Sequence, residues 1–440
     1  MRWRRRSVGV LASSVLLVAL MAVPGHGATT LSVVTVPGPT GQLEATRNVL
    51  IARDVGFSTT SGSKSYWFFG DTYIPPSLSA NTPGRFVGGS TAAVSNQVVP
   101  GKSPTDLADL RVAGSTSVNG LSRFLPLPPP GYIPGANGTS CVNLPATRTV
   151  RWISGATAAP NFVAPQSILI TYSIVCVRGS WNFVTEGFGV ALYSTQTNDW
   201  KFIHDVITPT RDGRAIDDSY IFGSPVFSND GTVTMYSHAC TPAPLWPFCT
   251  RTSLYSVTFV PTWANLTAKS TYVPSLVTTV NAGMGASIFA VSQVVDPTSK
   301  IPTTYFYRGD DLSGNFELFA LGSPGSSARL IGSGQLPDCA RLGSDRFCYA
   351  VAIHPELSPR GYLFVTYFVP DAPPLSAHLG AAIIGLPGSQ PYGTVTTTST
   401  SSTTSSSLPR TTTSSVTSTS VRVSTTTTAT QITTTTTLRR

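Results

Sequence analysis

Short apolar strands, punctuated by Gly, Pro, Asn and Asp, recur along most of this 440-residue chain. No stretch keeps an apolar period of about 3.6 residues over helical length, so helices are excluded as the main building unit. The strands fall into five groups. "RDVGFSTT", "SYWFFGDTYI" and "GGSTAAVSN" form the first, "SILITYSIVCV" and "FGVALYSTQ" the second. "GSPVFSNDGTVTMYSHAC" and "TSLYSVTF" make the third, and "GASIFAVSQVV", "TTYFYRGDD" and "FELFALG" the fourth. "YAVAIHPELSPRGYLFVTYFV" and "GAAIIGLP" make the fifth. Five groups of three or four strands predict an all-β fold, a five-bladed β-propeller. A two-sheet sandwich is the alternative, but a chain of this length would need two of them.

The two ends read differently. Arg2, Arg4, Arg5 and Arg6 precede the apolar run "VGVLASSVLLVALMAV" and the small residues of "PGHGA". This is the pattern of a secretory signal peptide over residues 1–28, with export of the remainder and no membrane helix after cleavage. From residue 394 to 440 the chain is nearly all Ser and Thr, as in "STTTTATQITTTTT". Such a segment buries no apolar surface and is expected to be a disordered tail or an extended, O-glycosylated stalk. "LPRTT" within it lacks the glycine and the following apolar stretch of a sortase signal. The propeller is therefore assigned to residues 29–393, and the protein to the extracellular space or the cell wall.

The formal charge of +9 carries no argument for a nucleic-acid partner. Setting aside the four arginines at each end leaves 21 basic against 20 acidic residues. Charged residues are 11% of the chain, against a usual ~25%, which suits an exported β protein. All six cysteines lie between the two ends, and an even count in an exported chain predicts disulfides. Short loops favour Cys240–Cys249 and Cys339–Cys348, leaving Cys141–Cys176. A zinc site is excluded by the absence of any CxxC and by only five histidines.

The local chemistry centres on one hairpin. "SGSK" at residues 61–64 is a turn with Gly62 and Ser63 at its tip. If Ser61 pairs with Lys64, then Phe57 faces Phe68, Val55 faces Gly70 and Asp54 faces Asp71. Two carboxylates then sit as cross-strand neighbours, unless a bulge at Gly70 shifts the register. Like charges so placed destabilise a sheet, in a chain with only 20 acids. Repulsion and burial split the proton affinities of such a pair, leaving one acid and one base, the equipment of glycoside hydrolysis. The bland alternative has Asp71 capping a turn and Asp54 paired with Arg53. A structural calcium ion on the same pair is a third use, and no other cofactor or metal is expected.

These residues also resemble a family. "RDVGFSTTSGSKSYWFFGDT" is similar to the opening blade of five-bladed, glycosidase-like propellers, where a "DGG-S" strand leads into "W-FGDT". "FGSPVFSNDGTVTMYSHAC" resembles their middle blade and "YAVAIHPELSPRGYLFVTY" their closing one. The nearest family is an exported one, once catalogued as a domain of unknown function, whose members include endo-D-arabinofuranosidases acting on cell-wall arabinan. The resemblance spans about residues 45–390 and implies Asp54 and Asp71 as the catalytic pair. Val55 departs from it, since the pattern has glycine there.

Further site candidates are Asp217 and Asp218 in "AIDDSYIFGS", Glu186 in "WNFVTEGFG", and His354 and Glu356 in "HPELSP". Asp310 and Asp311 sit at a strand end. Trp67 is a candidate for stacking on a sugar, as are Trp181, Trp246 and Trp263. For each, a turn, a loop anchor, core packing or a backbone-bonded histidine is the competing role. Asn137 and Asn265 fit glycosylation sequons. There is no GxSxG, no P-loop and no HExxH, which removes the hydrolases and nucleotide enzymes those motifs mark. Two functions remain: a polysaccharide hydrolase, or a non-catalytic propeller binding glycan or protein. A monomer is expected in either case.

Overall fold

The computed structural model describes residues 29–393 apart from 40–42, 45–48, 51, 75–84, 116, 119–120, 129–147, 161–163, 180–181, 208–220, 243–248, 282–287, 296–299, 310–313, 323–327, 340–347 and 372–375. The expected signal peptide and tail, with Cys141, Asp217, Asp218, Asp310, Asp311, Trp181, Trp246 and Asn137, lie outside the described residues.

The strands form five four-stranded antiparallel sheets in a five-bladed β-propeller. Blade 1 runs outward from Phe57–Ser61 through Lys64–Phe69 and Thr91–Ser95 to Ala108–Asp109. Blades 2, 3 and 4 begin at inner strands Arg148–Ala158, Gly223–Phe227 and Ile288–Val295. Blade 5 begins at Tyr349–Ile353 and continues through Tyr362–Asp371 and Ser376–Gly385. Its fourth strand is Val33–Val36 from the other end of the chain, in register from Val33 opposite Ile384 to Val36 opposite Ala381. That N-terminal strand and the inner strand of blade 2, "RTVRWISGATA", are absent from the five sequence groups. Arginine and glycine interrupt the apolar signal of the second.

Second strands show how the blades cohere. Side chains alternate across a strand, and here both faces are covered, so nearly every position is apolar. Phe68 packs against Ile168 and Tyr172 of blade 2, while Trp67 and Phe69 face Phe364 and Ile383 of blade 5. Leu169 meets Val233 and Met235 of blade 3. Phe306 meets Tyr236 and Leu254 of blade 3, while Tyr305 and Tyr307 meet Leu363 and Tyr367 of blade 5. Five interfaces, each with its own apolar core, close the ring. Trp67, Phe68 and Phe69 are fully buried, and each stabilises the fold by roughly 2–3 kcal/mol. Where inner strands of blades 2 and 3 touch, Gly155 lies so close to Ser224 that a Cβ would sit 2.5 Å from its backbone nitrogen.

Cys339 and Cys348 form a disulfide, as the short-loop reading expects. Cys176 is also disulfide-bonded, with its expected partner outside the described residues. The side chains of Cys240 and Cys249 are likewise outside them. Among the described residues no helix is long and apolar enough to cross a membrane.

Candidate active site

The hairpin of blade 1 follows the register read from its turn. Gly62 adopts φ +63°, which a two-residue turn of this kind requires. Ser61 pairs with Lys64, Ser58 with Trp67 and Phe57 with Phe68. The same register resumes beyond the blade, with Arg53 opposite Thr72 and Ala52 opposite Tyr73. Between these stretches the Asp54 N–H donates to the Asp71 carbonyl at 2.8 Å, and the Gly70 N–H donates to the Asp54 carbonyl at 2.7 Å. Asp54 and Asp71 are therefore cross-strand neighbours. The irregularity at Gly70 is matched on the facing strand by Val55 at φ +57°, so no residue is gained or lost. A β-branched side chain in that left-handed region costs of order 1–2 kcal/mol.

Burial, and next the negative charge of Asp71, push the Asp54 carboxyl up to about 7. Asp54 keeps some surface, but its Oδ1 is sealed and has no hydrogen-bond partner. The Tyr349 hydroxyl, from the start of the inner strand of blade 5, donates to this carboxyl. Asp71 is held from the other side. Its Oδ1 accepts the Gly89 N–H at 2.7 Å and the Trp152 Nε1–H at 3.0 Å, Trp152 being on the inner strand of blade 2. Near neutral pH the arrangement stores one proton on Asp54 beside a carboxylate already oriented by two N–H donors.

Arg53 does not neutralise the pair. Its Nη1 donates to Thr91 Oγ1 at 2.6 Å and its guanidinium lies 4.4 Å from the Phe69 ring centroid. Burial lowers it to about 10. Among the described residues no three His, Cys, Asp or Glu side chains converge as a metal-binding group.

Trp67 and His354 are brought together, but inside the blades. Both are fully buried and stacked, with ring centroids 4.8 Å apart, so neither offers a face to a ligand. Both ring nitrogens of His354 are engaged: Nδ1 with Ser58 Oγ at 2.5 Å and Nε2 with Thr366 Oγ1 at 2.7 Å. Burial pushes this histidine down to about 3, so it is neutral. Ser58 Oγ donates to Glu356 Oε1. Glu356 is raised to about 6 by burial. Glu186 lies on the third strand of blade 2, its side chain outside the described residues. Trp263 is exposed on a short helix and meets Phe202 edge-on at 4.6 Å. The Asn265 amide donates to the Val260 carbonyl at 2.8 Å. Sequence reasoning missed Tyr349 and Trp152, which come from other blades. Their only local signal is an aromatic at an inner-strand position.

No family model matches this chain, and no curated protein does. Among solved structures, a Bacteroides ovatus protein classed provisionally as a hydrolase is 13% identical, with a TM-score of 0.48 over 80% of this chain and 93% of that one. A family 117 glycoside hydrolase from Zobellia galactanivorans is 9% identical, with a TM-score of 0.41 over 81% and 90%. A thermostable family-43 glycoside hydrolase is 11% identical, with a TM-score of 0.40 over 82% and 96%. Likenesses at this level bear on no residue of the site.

Proposed function

We propose that this propeller is an exported glycoside hydrolase, cleaving arabinofuranosyl or related linkages in a cell-wall or environmental polysaccharide. One observation carries the reading. A buried aspartic acid raised to about 7 stands directly across from a second, hydrogen-bonded aspartate. In this scheme Asp54 donates its proton to the departing sugar oxygen, and Asp71 acts as base or nucleophile. Tyr349 and Trp152 fix the two carboxyls from neighbouring blades. The N-terminal 28 residues would direct export, and the Ser/Thr-rich tail would act as a spacer at the cell wall.

A non-catalytic, glycan-binding propeller is the second reading. The sealed Oδ1 of Asp54 favours it, because that oxygen reaches no substrate without movement. Incubation with arabinan, arabinogalactan and other polysaccharides, read as released oligosaccharides, separates the two. Hydrolysis predicts products from the wild type and none from Asp54→Asn or Asp71→Asn. A folded wild type silent on every substrate leaves the binding reading.

A further inference from the structure

The inner strands of blades 1 and 5 run the same way along the channel. Asp54 meets Tyr349 where they begin, and Ser58 meets His354 and Glu356 where blade 5's strand ends. Ser58 lies four positions beyond Asp54, up to ~13 Å of extended chain. Around that further part of the channel lies a cavity of about 670 Å³, lined by all five inner strands and by neither aspartate. Its volume falls within the ~300–1,000 Å³ of small-molecule sites.

Glu356 is the acid of this cavity, with a side chain only 10% exposed. The network behind it has a fixed direction. Ser58 gives its single proton to Glu356, so it accepts from His354 Nδ1–H, and His354 Nε2 is left to accept from Thr366 Oγ1, whose proton also faces the Gly56 carbonyl at 3.4 Å. Each donor points toward the carboxylate and fixes Oε1 against Ser58 in the channel wall. Among the described residues of the lining Arg360 is the other ionisable one, so their formal charge cancels when Glu356 is ionised. Phe57 and Phe227 supply apolar wall, while Thr157 and Ser292 supply hydroxyls.

We propose that this cavity is a second binding site, taking a neutral, hydroxyl-rich ligand of one or two sugar rings with the Glu356 carboxylate as its acceptor. A cancelled charge disfavours ions of either sign. Ring C–H faces suit the phenylalanine wall, and ring hydroxyls suit a pre-oriented carboxylate. The site is independent of hydrolysis at the aspartates.

Saturation-transfer NMR on the whole chain tests it, with D-arabinose, D-galactose, D-glucose and lactose as probes. The expected result is transfer to at least one probe in the wild type and in Asp54→Asn. Glu356→Gln, which keeps the shape, weakens binding about ten-fold by losing the charged acceptor. Gln293→Trp, which fills the cavity from blade 4, abolishes it. Should the tryptophan variant fail to fold, Glu356→Gln still decides. Transfer to no probe overturns the proposal. So does binding that keeps wild-type strength in Glu356→Gln, or that is lost only in Asp54→Asn.

Discussion

Replacing Asp54 by asparagine should make the protein progressively more stable than the wild type as pH rises from about 4 through 7, with no further divergence above that. The folded Asp54 carboxyl lies at about 7 against an ordinary value of 3.8, because burial and then Asp71 disfavour its charge. A group raised on folding stabilises the fold fully below its unfolded value, and that contribution is lost as pH rises through the folded value. The difference is about three pH units, or about 4 kcal/mol between pH 4 and pH 8. Asparagine has nearly the shape of the protonated acid and no charge to bury. Wild type and variant should therefore be nearly equal at pH 4 and diverge by up to ~4 kcal/mol by pH 8, the variant being the more stable. Urea unfolding of both proteins at half-unit steps from pH 4 to pH 8 measures this difference directly. His354 and Glu356 titrate in both proteins and cancel in the comparison. Asp71→Asn should flatten the wild-type slope without abolishing it, since burial is the larger cause. Parallel pH profiles for wild type and Asp54→Asn would refute the buried, shared-proton pair and remove the basis for acid catalysis.

Val55→Gly relieves the left-handed strain at φ +57° but frees the unfolded chain, for a net gain of about 1 kcal/mol in urea unfolding; destabilisation would show that the valine side chain's packing outweighs its strain. Ser58→Ala removes the shared partner of His354 and Glu356 and should cost about 2–3 kcal/mol. It should also raise Glu356 further above about 6, because the Ser58 hydrogen bond now lowers it; a carboxyl NMR titration unchanged from wild type would contradict the network. Replacing both Cys339 and Cys348 by alanine reopens a loop with a sequence separation of 9 and should cost about 2–3 kcal/mol, read in the same unfolding assay.

The hairpin shows how much was legible in the chain. A two-residue turn sets the register of its strands by local geometry, and "SGSK" placed Phe57 opposite Phe68 and Asp54 opposite Asp71 without any distant contact. Strand grouping likewise gave the five blades, because a strand buried on both faces is apolar at nearly every position, as "YWFF" is. Where that signal was interrupted, as in "RTVRWISGATA", the inner strand of blade 2 went unread, and with it Trp152. Trp67 and His354 were candidates for a ligand by residue type. Their stacking inside the ring depends on blade 5 lying beside blade 1, a contact between residues 287 apart, with His354 and Trp67 as its two members.

Local rules thus wrote the turn, the strand alternation and the facing pair of acids into short stretches of sequence. The closed ring decided the rest. It brought Tyr349 and Trp152 to the two carboxyls, sealed Asp54 Oδ1, set Glu356 in the channel wall and recruited Val33–Val36 to finish the last blade. The physical reason is desolvation: in a hairpin alone Asp54 feels only its neighbour Asp71 through water, and the larger part of its shift comes when neighbouring blades exclude water from it.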